Sequence, residues 1–271
     1  MFLSPAIDPA IRAEIETRLG SIEAEHDVRI LHACESGSRG WGFASPDSDY
    51  DVRFLYAHPL PWYLRVSPTR DVIEQPISDA LDINGWELKK ALGLLKKGNA
   101  TLIEWLDSPV LYRSDARFLA AIQESARTVW QPERAFHHYL HMARGNDRGY
   151  LHGHSVRYKK YLYVLRPLLA ILWIEAGRGI PPMRFRALVE GCVADAGLLA
   201  AIDALLDRKC AMRETGYGPP IPVLNAFIDA QLARLAAVSP PVRKDVDFAP
   251  LDRLLAETVL RLDSSRKTAD E

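Results

Sequence analysis

Residues 34–54 read CESGSRGWGFASPDSDYDVRF, with a Gly-Ser step at Gly37-Ser38, two further glycines and acids at the alternate positions Asp47, Asp49 and Asp51. Before this run, Val28–Cys34 has the character of a buried strand. After it, Tyr50–Tyr56, rich in β-branched and aromatic residues, predicts a second. Side chains two apart in a strand share a face, so Asp49 and Asp51 put two carboxylates side by side. Like charges that close are unfavourable unless a cation sits between them, and a divalent ion shared with substrate phosphates is the usual solution. Gly37 and Ser38 supply backbone N–H groups and a hydroxyl of the kind that cradles phosphate oxygens.

The D-S-D-Y-D alternation also invites a calcium-loop reading, which fails at two positions. Val52 stands where that loop needs Gly, and His58 where it needs the bidentate Glu. The stretch has no Gly-Lys-[Ser/Thr], so it is not a Walker loop either. A third acid is expected from a nearby strand. Asp82, in ALDINGW, is favoured because its neighbours Leu81 and Ile83 would face the opposite side and pack. Asp79 competes with it, Asp71 and Glu74 lie on an earlier strand candidate, and Asp82 also reads as a helix-entry acid.

The set Gly37-Ser38, ten intervening residues, then Asp49-Tyr50-Asp51-Val52 resembles the signature of the polymerase-beta nucleotidyltransferase superfamily. The blocks ESGSRGWGFASPDSDYDVRFLY, Trp62-Tyr63-Leu64, LDINGWELKKALGLLKKGNATLIEWLDSPV and YKKYLYVLRPLLAILWI extend the match over most of residues 28–178. Together they are similar to a bacterial and phage family of predicted nucleotidyltransferases linked to RNA repair. The resemblance implies an α+β fold, in which a small polymerase-beta-like α/β module with a mixed sheet is followed by an all-helical module closing over nucleotide and acceptor. It implies that Asp49, Asp51 and Asp82 hold two Mg²⁺ ions, with Mn²⁺ able to replace them. Gly37 and Ser38 would contact the phosphates of a nucleoside triphosphate, with Arg39 either adding charge there or standing as a solvated loop arginine. The implied reaction moves a nucleoside monophosphate to a hydroxyl and releases pyrophosphate, the EC 2.7.7 type.

The rest of the chain fits that layout. Ile11, Ile15, Leu19 and Ile22 repeat at helical spacing after Pro9. Arg70–Ile77 and Ala80–Ile83 are weaker strand candidates. From Asn84, which with Glu87 fits a capping box, helical patterns dominate: Leu88–Leu95, Thr101–Leu106, Arg117–Trp130, Pro132–Arg144, Val156–Ala176, Leu198–Cys210, Pro222–Ala236 and Leu251–Leu262. These predict a catalytic domain over 1–115, a helical domain over 116–265 and a polar tail over 266–271.

Between Arg134 and Arg166 lie seven Lys/Arg against the single acid Asp147, together with five of the eight histidines, in a chain whose formal charge is −1. Such a concentration suits phosphate recognition, and interleaved tyrosines offer stacking surfaces. Tyr158, Lys159 and Lys160 are candidates for the triphosphate or the acceptor, the two lysines as a pair; a solvated helix face is the competing reading. His137 and His141 have i, i+4 zinc spacing but lack the H-E-x-x-H glutamate and any nearby cysteine.

RNA is therefore the expected acceptor. A protein or small-molecule hydroxyl, or a non-catalytic nucleotide-binding or antitoxin-like module, is the alternative. Cys34, Cys192 and Cys210 form no C-x-x-C pair, the first residues lack a signal-peptide pattern, and the most apolar stretch carries Arg166 and Pro167. A cytoplasmic protein without a membrane partner is expected. Neither the nucleotide nor the oligomeric state is legible.

Overall fold

The computed structural model describes residues 7–67, 69–77, 80–211, 216–243 and 245–268. In chain order the elements are α1 (Pro9–His26), β1 (Arg29–Glu35), α2 (Gly37–Trp41), β2 (Tyr50–Ala57), α3 (Leu60–Tyr63), β3 (Val72–Glu74), β4 (Leu81–Glu87), α4 (Leu88–Lys96), α5 (Ala100–Leu106), β5 (Leu111–Ser114) and α6 (Ala116–Thr128). Then come α7 (Pro132–Tyr150), β6 (Val156–Arg157), α8 (Tyr158–Glu175), α9 (Phe185–Cys192), α10 (Ala196–Ala211), β7 (Tyr217–Gly218), α11 (Pro222–Arg234) and α12 (Ala249–Lys267). The fold is α+β, as expected. No helix among the described residues is long and apolar enough to cross a membrane.

Backbone proximity divides the chain into two compact units, and the chain alternates between them. Among the described residues one comprises those of 7–37, 49–130 and 245–268; the other comprises those of 38–48 and 131–243. This differs from the expected boundary near 115. α6 and α12 belong with the sheet because they pack on each other, with Phe118 and Ile122 of one and Leu251, Leu254 and Val259 of the other buried. The predicted tail is also shorter than expected, since α12 continues through Lys267; residues 269–271 lie outside the described residues.

The first unit holds a five-stranded mixed sheet of order β3-β4-β2-β1-β5, in which only β2 and β4 are parallel. Ile15, Leu19 and Ile22 of α1 pack against Ile30, Val52, Phe54, Tyr56 and Ile83 on one face. β4 is longer than Ala80–Ile83 predicts, and Asn84 does not cap a helix. It lies within the strand, and Glu87 caps α4 by accepting from the Lys90 amide at 3.1 Å. Gly85 permits the extension: a Cβ there would come within 2.1 Å of the Phe54 ring, so the bare Cα lets Phe54 lie over its parallel partner.

At the end of β2, His58 stacks on Trp62 with ring centroids 4.3 Å apart. Burial, assisted by the Arg65 charge, lowers its pKa from 6.5 to about 4. Unfolding releases that constraint, so the unfolded chain binds the extra proton between the two values, and stability falls as pH falls through that window. In urea titrations at pH 7 and pH 4.5, His58→Phe is expected to lose less stability on acidification than the parent. Equal losses would remove His58 from the acid response.

In the second unit α8 is the central helix, with Tyr161, Leu162, Leu165, Leu168, Leu169 and Ile171 buried all round it and α7, α9, α10 and α11 packed on it. Pro167 is accommodated inside this helix. α9 and the β6–β7 ribbon were not anticipated. The ribbon closes because Gly218 leaves space that Tyr158 fills: a Cβ there would stand 2.0 Å from the Tyr158 hydroxyl oxygen.

Candidate active site

β2 and β4 pair in parallel with Asp51 opposite Asp82. In both strands the alternate residues Tyr50, Val52 and Phe54, and Leu81 and Ile83, are committed to the core, so the two acids emerge together on the other face. Their side chains keep 29% and 34% exposure, which leaves the pair accessible to a ligand.

Arg53, two residues along that face, stands between them. Its Nη2 donates to Asp51 Oδ1 at 3.1 Å and to Asp82 Oδ2 at 2.6 Å, while Nη1 donates to the carbonyls of Val52 and Asp82 at 3.0 and 2.8 Å. The guanidinium is thus the cation that neighbouring carboxylates require. Replacing it leaves two acids facing each other without it. Arg53→Met is expected to cost about 2 kcal/mol, the scale of lost hydrogen bonds to charged groups. A thermal melt should show the midpoint falling by roughly 5 °C for a chain of this size. An unchanged midpoint would mean that the bridge contributes nothing.

Gly37 and Glu35 fix Asp51 from the other side. Gly37 has φ of +54°, and a Cβ on it would stand 1.9 Å from Asp51 Oδ2. Glu35 is fully buried at the end of β1. Its Oε1 accepts from the Asp51 amide at 2.9 Å, its Oε2 from the Tyr112 hydroxyl at 2.5 Å, and its carbonyl from Ser108 Oγ at 2.6 Å. The Ser36 amide donates to the Asp51 carbonyl at 2.8 Å, so both backbone groups of Asp51 are held. As an acid closing an otherwise buried strand, Glu35 reads from the sequence as structural, and the structure supplies its partner Tyr112 from 77 positions on.

Asp49 lies one residue before β2 and is exposed. Of the competing acids, Asp79 lies outside the described residues. Asp71 accepts from Lys90 Nζ at 2.9 Å, and Glu74 accepts from Arg70 at 2.7 Å and Asn84 at 3.2 Å. Among the described residues no three His, Cys, Asp or Glu side chains converge as a ready metal cage. The donor chemistry at Asp51 and Asp82 still fits a hard divalent cation: two carboxylates in paired register, partly open to solvent, with positive charge already drawn between them.

The other predicted residues belong to the helical unit. Ser38 is buried at the start of α2, and its carbonyl accepts from the amides of Gly42 and Phe43 at 3.1 and 2.9 Å. Arg39 is not a solvated loop arginine; it is buried and donates to the Ser48 carbonyl at 2.7 Å, clamping the loop across nine residues. Lys209, buried on α10, donates to Ser45 Oγ at 2.6 Å, and Ser45 and Ser48 hydroxyls lie 3.0 Å apart. Lys209 was missed in the sequence, although it falls on the apolar stripe Leu198, Ile202, Leu205, Leu206 at helical spacing. Tyr158 is buried, with Arg208 over its ring. Lys160 Nζ stands 3.8 Å from the Tyr150 ring centroid and 5.0 Å from that of Tyr163, and Lys159 is half-buried beside it on α8.

The family model described as "RNA repair pathway DNA polymerase beta family" matches residues 11–257. YcgL of Bacillus subtilis (strain 168), an uncharacterized protein, is 43% identical over 251 residues, covering 92% of this chain and 96% of that one. A crystal structure of a nucleotidyltransferase-like protein from Exiguobacterium sibiricum 255-15 aligns at 14% identity and a TM-score of 0.30, over 81% of this chain and 75% of the other.

Proposed function

Because the chain belongs to the RNA repair pathway DNA polymerase beta family, we propose that it transfers a nucleoside monophosphate from a nucleoside triphosphate to a hydroxyl on RNA. In that reaction the acceptor oxygen bonds the α-phosphorus, the bond to the bridging oxygen breaks, and pyrophosphate leaves. The observation that carries this reading is the register of β2 and β4, which sets Asp51 opposite Asp82 beside a glycine that no other residue can replace without displacing the carboxylate.

Asp49, Asp51 and Asp82 would hold Mg²⁺, or Mn²⁺ in its place; such ions polarise phosphoryl oxygens and make a hydroxyl easier to deprotonate. Glu35 and Arg53 keep the Asp51 carboxylate oriented before substrate arrives. The Gly37-Ser38 step, directly after β1, offers amide donors to phosphate oxygens. Arg39 acts by bracing the loop through Ser48. Lys159 and Lys160 are proposed as a pair to meet the triphosphate, and Tyr158 shapes the surface beneath them.

The test is transfer of radiolabel from each α-labelled nucleoside triphosphate, with Mg²⁺, into cellular RNA supplemented with cleaved tRNA, with Asp51→Asn in parallel. Label in RNA that disappears in the variant supports the reading and names the nucleotide. Label in protein or in a small molecule moves the acceptor there. Nucleotide binding without transfer anywhere would favour a binding module.

A further inference from the structure

α7 is amphipathic in a way that the site described above does not use. Ala135, Phe136, Tyr139, Leu140 and Ala143 are buried, and the opposite face exposes His137, His141, Arg144 and Arg148. These four follow at spacings of four, three and four residues, which keeps them on one stripe of the helix. At a rise of about 1.5 Å per residue the stripe runs about 16 Å. With Leu140 and Asp147 they line a recess of about 550 Å³.

The stripe is not neutralised locally. Asp147, the acid within it, is buried and held by His152 Nε2 at 3.0 Å. Arg148 donates to the Arg144 carbonyl at 3.3 Å, and no described carboxylate forms an ion pair with Arg144 or Arg148. In the same unit Arg186 is paired with Glu190 and Asp203, and Arg234 with Glu175, so the arginines of the stripe differ from these two. In a chain of formal charge −1, two guanidinium forks and two imidazole rings left in line suit a partner with regularly spaced anionic groups.

We propose that this face of α7 binds the sugar-phosphate backbone of single-stranded RNA, with Arg144 and Arg148 contacting phosphates and His137 and His141 meeting bases or sugars between them. The proposal deepens the RNA reading above and rests on it for the identity of the polyanion. Guanidinium forks match phosphate oxygens two at a time, and planar rings accept unstacked bases, whereas an acidic peptide needs only the charge.

The experiment is a fluorescence-anisotropy titration of a mixed-sequence single-stranded RNA 20-mer against the full chain, from low to moderate salt, without nucleotide. For single strands log K falls with log salt at about 0.7 per phosphate contact, so Arg144→Gln/Arg148→Gln should shallow the slope by about 1.4 and weaken binding about twentyfold near 0.1 M salt. Arg186→Gln, on the same unit, should leave affinity within about twofold. An unchanged slope in the double variant, or no RNA binding by the parent chain, would overturn the proposal. Equal competition by polyglutamate at matched charge would also overturn it, assigning the face to an acidic protein. The assay involves no transfer: if labelling fails and this binding holds, only the catalytic reading falls, and if labelling persists with an inert stripe, only the stripe falls.

Discussion

Asp82→Asn is expected to lower nucleotidyl transfer about a thousandfold, because the amide removes a negative charge where several kcal/mol of transition-state stabilisation would be gathered, at about 1.4 kcal/mol per decade. The fold should survive, since Arg53 keeps Asp51 Oδ1 and the Asp82 and Val52 carbonyls as partners. The matched controls are Asp71→Asn and Glu74→Gln. Those acids are occupied by Lys90, and by Arg70 and Asn84, and should retain activity within about threefold, the scale expected of surface ion pairs. Single-turnover label transfer reads all three. If Asp71→Asn or Glu74→Gln were the variant that lost the thousandfold, the parallel register of β2 and β4 would not be what assembles the site.

Gly37→Ala is expected to have the next largest effect. Its Cβ would overlap Asp51 Oδ2, and its φ of +54° is a region where a side chain costs about 1 kcal/mol or more. The carboxylate must move, and a displacement near 1 Å at a reacting group can cost about a hundredfold in rate. The thermal midpoint should fall by only a few degrees, so activity and stability separate. Gly93→Ala provides the contrast: it lies within α4 with nothing inside 4 Å of the added methyl, and should stabilise by about 0.5–1 kcal/mol. A Gly37→Ala protein with parental activity would show that the Asp51 carboxylate can shift without consequence.

The strand–loop–strand unit was legible because its physics is local. β1 and β2 are dense in apolar residues, the loop between them is marked by glycines, and Leu81 and Ile83 oblige Asp82 to face away from the core. What escaped depends on partners distant in sequence. Asn84-Gly85 reads as the end of a strand until Phe54 is found lying over Gly85. Arg53 reads as an exposed strand residue until β4 brings Asp82 to it from 29 positions away. Lys209 gains its role only when α10 meets the serines of a loop 164 residues earlier. The division of the chain was hidden for the same reason: α12 is an ordinary amphipathic helix, and nothing in its own residues says which unit its buried leucines will join.

That division has a consequence for the order in which the protein is made. α12 packs on α3, α4 and α6, and Arg261 and Arg266 reach back to Asp115 and Asp27. Between α6 and α12 the ribosome must produce the whole of residues 131–244. At about 5–20 residues per second this takes roughly 6–23 s. Throughout that interval the nascent sheet unit lacks its last helix, and the apolar surface that Leu251, Leu254 and Val259 will cover stays open. The helical segment has all of its own residues out of the exit tunnel before the sheet unit has all of its, so in the cell the later-synthesised unit is the first that can be completed.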